Sequence, residues 1–399
     1  MADNNENKVL NVPHLRFPEF SGEWNKYTIN DLATVVGGGT PDTTVKSYWG
    51  GDIQWFTPSE IGKNKYVDFS KRTITRDGLD NSSAKLLPLH TILLSSRATV
   101  GECSIASNEC TTNQGFQSLI AKQCNIDFLY YLIQTKKKDL IRNACGSTFL
   151  EISANEIRKI KVAVPVQNEQ EQIAKLLSLI DERIATQNKI IEKLQSLIKG
   201  LVDELMTVLL KGKLYQFSSF YIKAGEGGTP KTSVVEYYTE GTIPFIKIED
   251  LSCKYLTNNK DFITELGMQK SSAWLIPSKS VIYSNGATIG AISINEYPVC
   301  TKQGILGIVP NTNINVEYLY LLMSSSYFSK EISRIITEGT MKTAYLKDIN
   351  HIKCPLPSMA QQKNITNLTS SIEEKLSIEQ ELLRFLNLQK QYLLRRMFI

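Results

Sequence analysis

Between Gln167 and Leu210 apolar side chains return at alternating steps of four and three: Ile173, Leu177, Ile180, Ile184, Ile191, Leu194, Ile198, Leu201, Leu205 and Val208, with polar Gln187 inside the series. That spacing predicts a helix with one apolar seam, the pattern of a coiled coil. No proline enters the run, and its only glycine is Gly200. At 1.5 Å per residue such a helix would be roughly 65 Å long, beyond an ordinary surface helix. A one-sided stripe of that length needs a partner. Residues 361–397 supply one through Ile365, Leu368, Ile372, Leu376, Leu383, Leu386, Leu393 and Met397, interrupted by Glu379 and Lys390. The chain therefore reads as block, helix, block, helix, and two such helices can pack antiparallel with the blocks at opposite ends. Gln187 and Glu379 fall at the same repeat position, which assigns them a register-fixing role at some cost in stability.

The blocks repeat as well. Sliding the chain by about 189 residues aligns much of it with itself. GGTP ends at Pro41 and again at Pro230; SSA occurs at Ser82–Ala84 and Ser271–Ala273. Ser95, Ala98, Thr99 and Gly101 meet Ser284, Ala287, Thr288 and Gly290, and TNQG from Thr112 meets TKQG from Thr301. IRKIKVAVPV precedes the first helix and INHIKCPLPS the second, so the period includes the helix. Short apolar runs bounded by Gly, Pro, Asn and Ser read as strands: Ile92–Leu94, Ser118–Ala121, Val281–Tyr283 and Ile305–Val309. Helical spacing appears near Ile126–Asn143 and Val316–Ile336. Each block is thus an α+β domain of mixed or antiparallel sheet. The expected division is 1–166 for the first domain, 167–212 for the central helix, 213–358 for the second domain and 359–399 for the distal helix.

Composition narrows the class. The 399 residues are 42% hydrophobic and 21% charged, ordinary for a globular protein with real cores. No apolar run approaches a membrane span, and the start MADNNENK is polar where a secretory signal would be basic and then apolar, which implies a cytoplasmic protein. Seven cysteines without a CxxC pair suggest neither zinc ribbon nor disulfide framework, and buried free thiols are the expected state. A formal charge of +5 permits nucleic-acid binding without demonstrating it. Lysine clusters such as Lys136–Lys138 read first as solvated helix faces.

Catalytic signatures are missing. There is no GxxxxGK[ST] phosphate loop, the three histidines His14, His90 and His351 stand far apart, and no paired carboxylate or metal-ligand spacing recurs in both repeats. GGTP reads as a turn whose glycine supplies φ > 0. The repeats share glycines, prolines and strand positions. They differ in polar residues that can reach outward: Arg97 against Gly286, Ser96 against Asn285, Asn113 against Lys302, Thr57 against Lys247. Arg, Lys, Asn and Gln are the side chains that distinguish base edges in a DNA groove. Arg97, Asn113 and Gln114 in the first domain, with Lys247, Asn285, Lys302 and Gln303 in the second, are therefore the candidate DNA-binding residues. Gln114 and Gln303 share a repeat position, and a scaffold role bonding a turn is the alternative for them.

VPHLRFPEFSGEW, then GGTP, the RATVG segment at Arg97–Gly101, TNQG, and the IxxIxVxxPxxxEQxxI-like entry into a long helix together resemble the specificity subunit of type I restriction-modification enzymes. The likeness covers essentially the whole chain, and its strength lies in the twice-repeated order of soft motifs. It implies two similar target-recognition domains, each reading one half of an asymmetric bipartite double-stranded DNA site, and an intramolecular antiparallel coiled coil with pseudo-twofold symmetry that sets the gap between halves. It further implies a subunit without catalysis or cofactor of its own, working in defence against foreign DNA with two methyltransferase subunits and two restriction subunits. S-adenosylmethionine, ATP and Mg would belong to those partners. One departure stands out: the lead-in KLYQFSSFYIKAGEG to the second GGTP lacks the acidic position common in family repeats, implying an altered entry strand. The competing reading is a non-catalytic structural tether binding protein ligands, which salt dependence separates from a DNA reader, since phosphate contacts weaken steeply as salt rises.

Overall fold

A computed structural model describes residues 11–146, 150–336 and 342–399; the polar start weighed above lies outside them. The chain divides into two compact units, Met1–Asn188 with Glu381–Ile399, and Lys189–Gln380. The long helices, Gln167–Leu209 and Met359–Met397, each contribute one part to each unit.

In the first unit a five-stranded sheet runs in the order Ala33–Gly37, Gln117–Ala121, Ile92–Leu94, Cys103–Ala106, Tyr66–Val67. A three-stranded sheet orders Arg72–Ile74, Trp49–Phe56 and Cys110–Thr112, and Asn25–Thr28 pairs with Lys161–Val164. Pairing is mostly antiparallel, with parallel contacts between Trp49–Phe56 and Cys110–Thr112 and between Tyr66–Val67 and Cys103–Ala106. The strand Ile92–Leu94 is apolar throughout because both its faces are covered. Ile92 and Leu94 join a core with Phe128, Leu132 and Leu177 on the helical side; Leu93 joins Phe56, Leu87 and Phe116 on the other.

The second unit repeats this arrangement strand for strand. Its five-stranded sheet runs Tyr221–Glu226, Ile305–Pro310, Val281–Ser284, Ile292–Asn295, Tyr255–Leu256; its smaller sheets are Asp261–Ile263, Ile243–Ile246, Cys300–Thr301, and Leu214–Gln216 with Lys353–Pro355. The entry strand expected to be altered keeps its partner and pairs through Glu226, with one register shift between Tyr221 and Lys223.

Within each unit the two long helices pack side by side. In the first, Ile173, Leu177 and Ile180 are buried with Leu393, Met397 and Phe398, and Asp181 pairs with Lys390 at 2.6 Å. The first half of one helix thus lies with the last half of the other, and the second unit joins the remaining halves, so the helices are antiparallel. In the second unit the expected seam slips by one residue. Val202 and Met206 are buried with Ile365, whereas Val208 is 62% exposed; on the other helix Thr369 is buried and Leu368 exposed. A strict heptad drifts away from the 3.6-residue period of a straight helix, and the buried face follows the helix rather than the heptad.

Five cysteines are buried, but Cys145 and Cys253 are exposed, which corrects the expectation of uniformly buried thiols. Desolvation pushes the Cys110 thiol up to about 12 and Cys300 to about 11. In the lysine cluster Lys138 is exposed, whereas Lys136 donates to Ile399 O at 2.8 Å and Lys137 pairs with Glu102.

Candidate nucleic-acid interface

The motifs shared by the repeats converge on one loop cluster at the edge of each five-stranded sheet. Gly38 and Gly39 have no positive φ, so the turn reading of GGTP is wrong in its cause. A Cβ on Gly38 would overlap the backbone of Asn113 and Thr112, and one on Gly39 the backbone of Ser83 and Ala84. Gly227 and Gly228 meet Thr301 and the Ser272–Ala273 backbone in the same way. The glycines are needed because three chain segments pass in contact. Gly39 N donates to Thr112 O at 2.8 Å, and the Trp55 indole donates to Gly39 O at 2.9 Å.

The RATVG loop lies against this junction. Ser96 N donates to Gly115 O at 2.8 Å, and Gly101, with φ +88°, closes the loop by donating to Ser95 O at 3.0 Å. Its counterpart repeats both bonds: Asn285 N donates to Gly304 O at 3.0 Å and Gly290 N to Ser284 O at 3.0 Å. Arg97, Asn113 and Gln114 thus share one cluster, as do Lys247, Asn285, Lys302 and Gln303, since Lys302 N donates to Ile246 O at 2.9 Å.

Their surroundings differ. Arg97 is half-exposed and ion-paired to Glu151. Asn113 caps its own turn, its Oδ1 accepting from Gly115 N at 2.9 Å. Gln114 is exposed and accepts from the Thr40 hydroxyl, while Gln303 N donates to Thr229 Oγ1 at 3.4 Å. The Gln114 side chain thus bonds the threonine of its GGTP, as the scaffold alternative expects, whereas Gln303 meets Thr229 only through its backbone and its side chain is exposed. Lys302 is exposed. Lys247 pairs with Asp261 at 2.8 Å, and that hydrogen-bonded carboxylate holds its ammonium above the usual lysine range. Asn285 needs correcting: it is fully buried, its amide donating to Ala344 O at 3.1 Å, so it braces the loop and offers no group at the surface.

Three positions carry no signal in the sequence taken alone. Glu151 lies 54 positions from Arg97, with no local signal to join them. Arg72 stacks over Trp49 at 3.6 Å, and Trp49 meets Trp55 edge to face. Arg72 pairs across its strand with Trp55 as Asp261 does with Phe245, so a cation in one unit stands where the other has an anion. Only the repeat alignment could have singled it out. Lys65, with its equivalent Lys254, is the third. Lys65 reaches Asp127 at 2.7 Å and Ser178 of the long helix at 2.6 Å; Lys254 reaches Glu317 at 3.3 Å and also Glu373 of the long helix. Each lysine ties its sheet to the helix below it.

Among the described residues no group of three or more His, Cys, Asp or Glu is placed to hold a metal ion, and no helix is long and apolar enough to cross a membrane. Residues 21–196 and 220–387 each match the family described as Type I restriction modification DNA specificity domain. The Type I restriction enzyme MjaIX specificity subunit of Methanocaldococcus jannaschii is 29% identical over 382 residues, covering 89% of this chain and 88% of its own. The EcoR124I/EcoR124II specificity subunit of Escherichia coli is 29% identical over 175 residues, 42% of this chain and 43% of its own. In fold, the chain resembles the crystal structure of the type I restriction-modification S subunit from M. genitalium, with a TM-score of 0.54 and 18% identity over 97% of this chain and 99% of that one.

Proposed function

The chain belongs to the family of type I restriction-modification DNA specificity subunits, with two copies of its target-recognition domain, and we propose that each copy reads one half of an asymmetric bipartite site in double-stranded DNA. The observation that carries this reading is the repeated loop cluster: two backbone frames of the same strand order, held at the loop by corresponding hydrogen bonds, bear different outward side chains. A frame kept constant with its polar tips changed is what two readers of different half-sites require. Arg97, Asn113, Lys247, Lys302 and Gln303 are the proposed contacts, together with Arg72; Gln114 acts as a brace and Asn285 as a buried support of the loop. The domains run over 1–166 and 213–358, and the two long helices set the unspecific spacer and dock methyltransferase subunits.

The subunit is non-catalytic and cytoplasmic in this reading. Two methyltransferase subunits carry S-adenosylmethionine, and restriction subunits, where present, carry ATP and Mg. The test is to exchange residues 1–166 for the same region of a relative and sequence the adenines methylated in cells carrying the complex. One half of the recognition sequence changes and the other stays; a change in both halves overturns the two-reader assignment.

A further inference from the structure

We propose that Glu151 is a specificity filter for the first target domain, holding Arg97 in an ion pair that a matching base edge displaces and a phosphate does not. This rests on the reading that the RATVG loop faces DNA. Both carboxylate oxygens of Glu151 accept from Arg97 Nη2, at 2.7 and 2.8 Å. The two side chains are 43% and 45% exposed. An exposed pair of this kind is weak, so it opens without disturbing the fold.

The carboxylate is nevertheless fixed in place. Cys145 and Glu151 exchange backbone hydrogen bonds of 2.9 Å in both directions, Ile152 N donates to Ser96 O at 2.9 Å, and Ala98 N donates to Leu150 O at 3.3 Å. Glu151 therefore stays beside the loop after Arg97 leaves it. A DNA phosphate approaching Arg97 meets that negative charge and is repelled. The neutral O6/N7 edge of a guanine offers bidentate geometry without the repulsion. The filter suppresses sequence-independent binding while leaving matched binding intact.

The second unit shows that the pair is not a structural necessity. Ala344 N donates to Asn285 O at 2.9 Å as Ile152 N does to Ser96 O, which places Thr343 where Glu151 stands. Gly286 occupies the place of Arg97. Both members are exchanged together, yet the loop keeps its hydrogen bonds.

The test uses the full chain co-purified with its methyltransferase. The probes are three labelled duplexes: the bipartite site read from methylated adenines of the source genome, the same with the first half scrambled, and the same with the second half scrambled. Glu151→Gln should tighten binding to the first-half-scrambled duplex by about threefold to fivefold, the worth of one exposed ion pair. It should leave the penalty for scrambling the second half unchanged, and in the Arg97→Gln background, where the fixed carboxylate has lost its cation, adding Glu151→Gln should again tighten binding to the first-half-scrambled duplex. Equal weakening on all three duplexes would show that Glu151 only positions Arg97, and no change would show that it does nothing; either overturns the filter. If Arg97→Gln affects neither half-site, the placement of this loop on DNA fails first.

Discussion

In the first unit Glu169 is fully buried at the start of the long helix, where the Arg16 guanidinium donates to both its oxygens at 2.7 Å and the Trp24 indole donates at 3.2 Å. At the matching start of the second long helix stands Gln361, exposed, accepting from Ser358 N at 3.0 Å. The next residue is the same in both. Gln170 accepts from Asn125 N at 3.0 Å and donates to Pro165 O at 3.0 Å; Gln362 accepts from Asn315 N at 2.7 Å and donates to Pro357 O at 2.9 Å. The glutamine that bridges two backbone segments is kept in both units, while the residue before it differs with the neighbour it meets. The segment carrying Arg16 and Trp24 packs on the first unit, with Leu15 N donating to Arg396 O at 2.8 Å. A buried carboxylate is tolerable there because a guanidinium reaching in from the partly exposed Arg16 pairs with it.

The sharpest way to break this comparison is to remove the cation. Arg16→Met strands the Glu169 carboxylate and should cost the first unit roughly 3–5 kcal/mol. Three of the four tryptophans, Trp24, Trp49 and Trp55, lie in that unit, so urea unfolding followed by fluorescence reports on it. Adding Glu169→Gln, which imitates Gln361, should recover most of the loss. If Arg16→Met costs less than about 1 kcal/mol, the value of an exposed pair, Arg16 is not what makes the buried Glu169 acceptable.

A second contrast is quantitative. Lys65 and Lys254 occupy the same repeat position, both largely buried, but Lys65 faces one carboxylate and a hydroxyl while Lys254 faces two carboxylates. Lys254→Met should therefore be the costlier change, about 2–4 kcal/mol against about 1–3 kcal/mol for Lys65→Met, because it leaves Glu317 and Glu373 facing each other without a cation. Calorimetric melting of the two variants measures the order. Adding Glu373→Gln should restore stability to Lys254→Met, and equal costs without that rescue would dispose of the two-carboxylate explanation.

The duplication, the strand runs and the helices were legible because each is written locally, in spacing and in turn residues. What could not be read were contacts closed by tertiary structure. GGTP announced a special backbone, but whether from positive φ or from close approach depended on Thr112 and Ser83, far away in sequence. Arg97 stood out as a residue absent from the other repeat, whereas Glu151 did not, since the bridge between them spans 54 residues. Asn285 looked reach-capable by type, and only the fold shows it turned inward to Ala344. The repeat comparison correctly found the places of difference and could not tell which of them face outward.

The slipped seam offers the finest test of that limit. Around Gly200 the first helix carries apolar neighbours in pairs, Leu201 with Val202, Leu205 with Met206 and Val208 with Leu209, so two phases of the stripe fit equally well. The second unit chooses Val202 and Met206, which pack with Phe217 and Ile365, and leaves Val208 at 62% exposure. The first unit keeps the heptad phase through Ile173, Leu177 and Ile180. Val208→Gln should then change stability by no more than about 0.5 kcal/mol, as surface substitutions do. Met206→Gln should cost roughly 2–4 kcal/mol by burying an amide in an apolar core. Chemical denaturation followed by helical circular dichroism separates them. Equal losses would restore the strict heptad and make the two units alike in their helix packing.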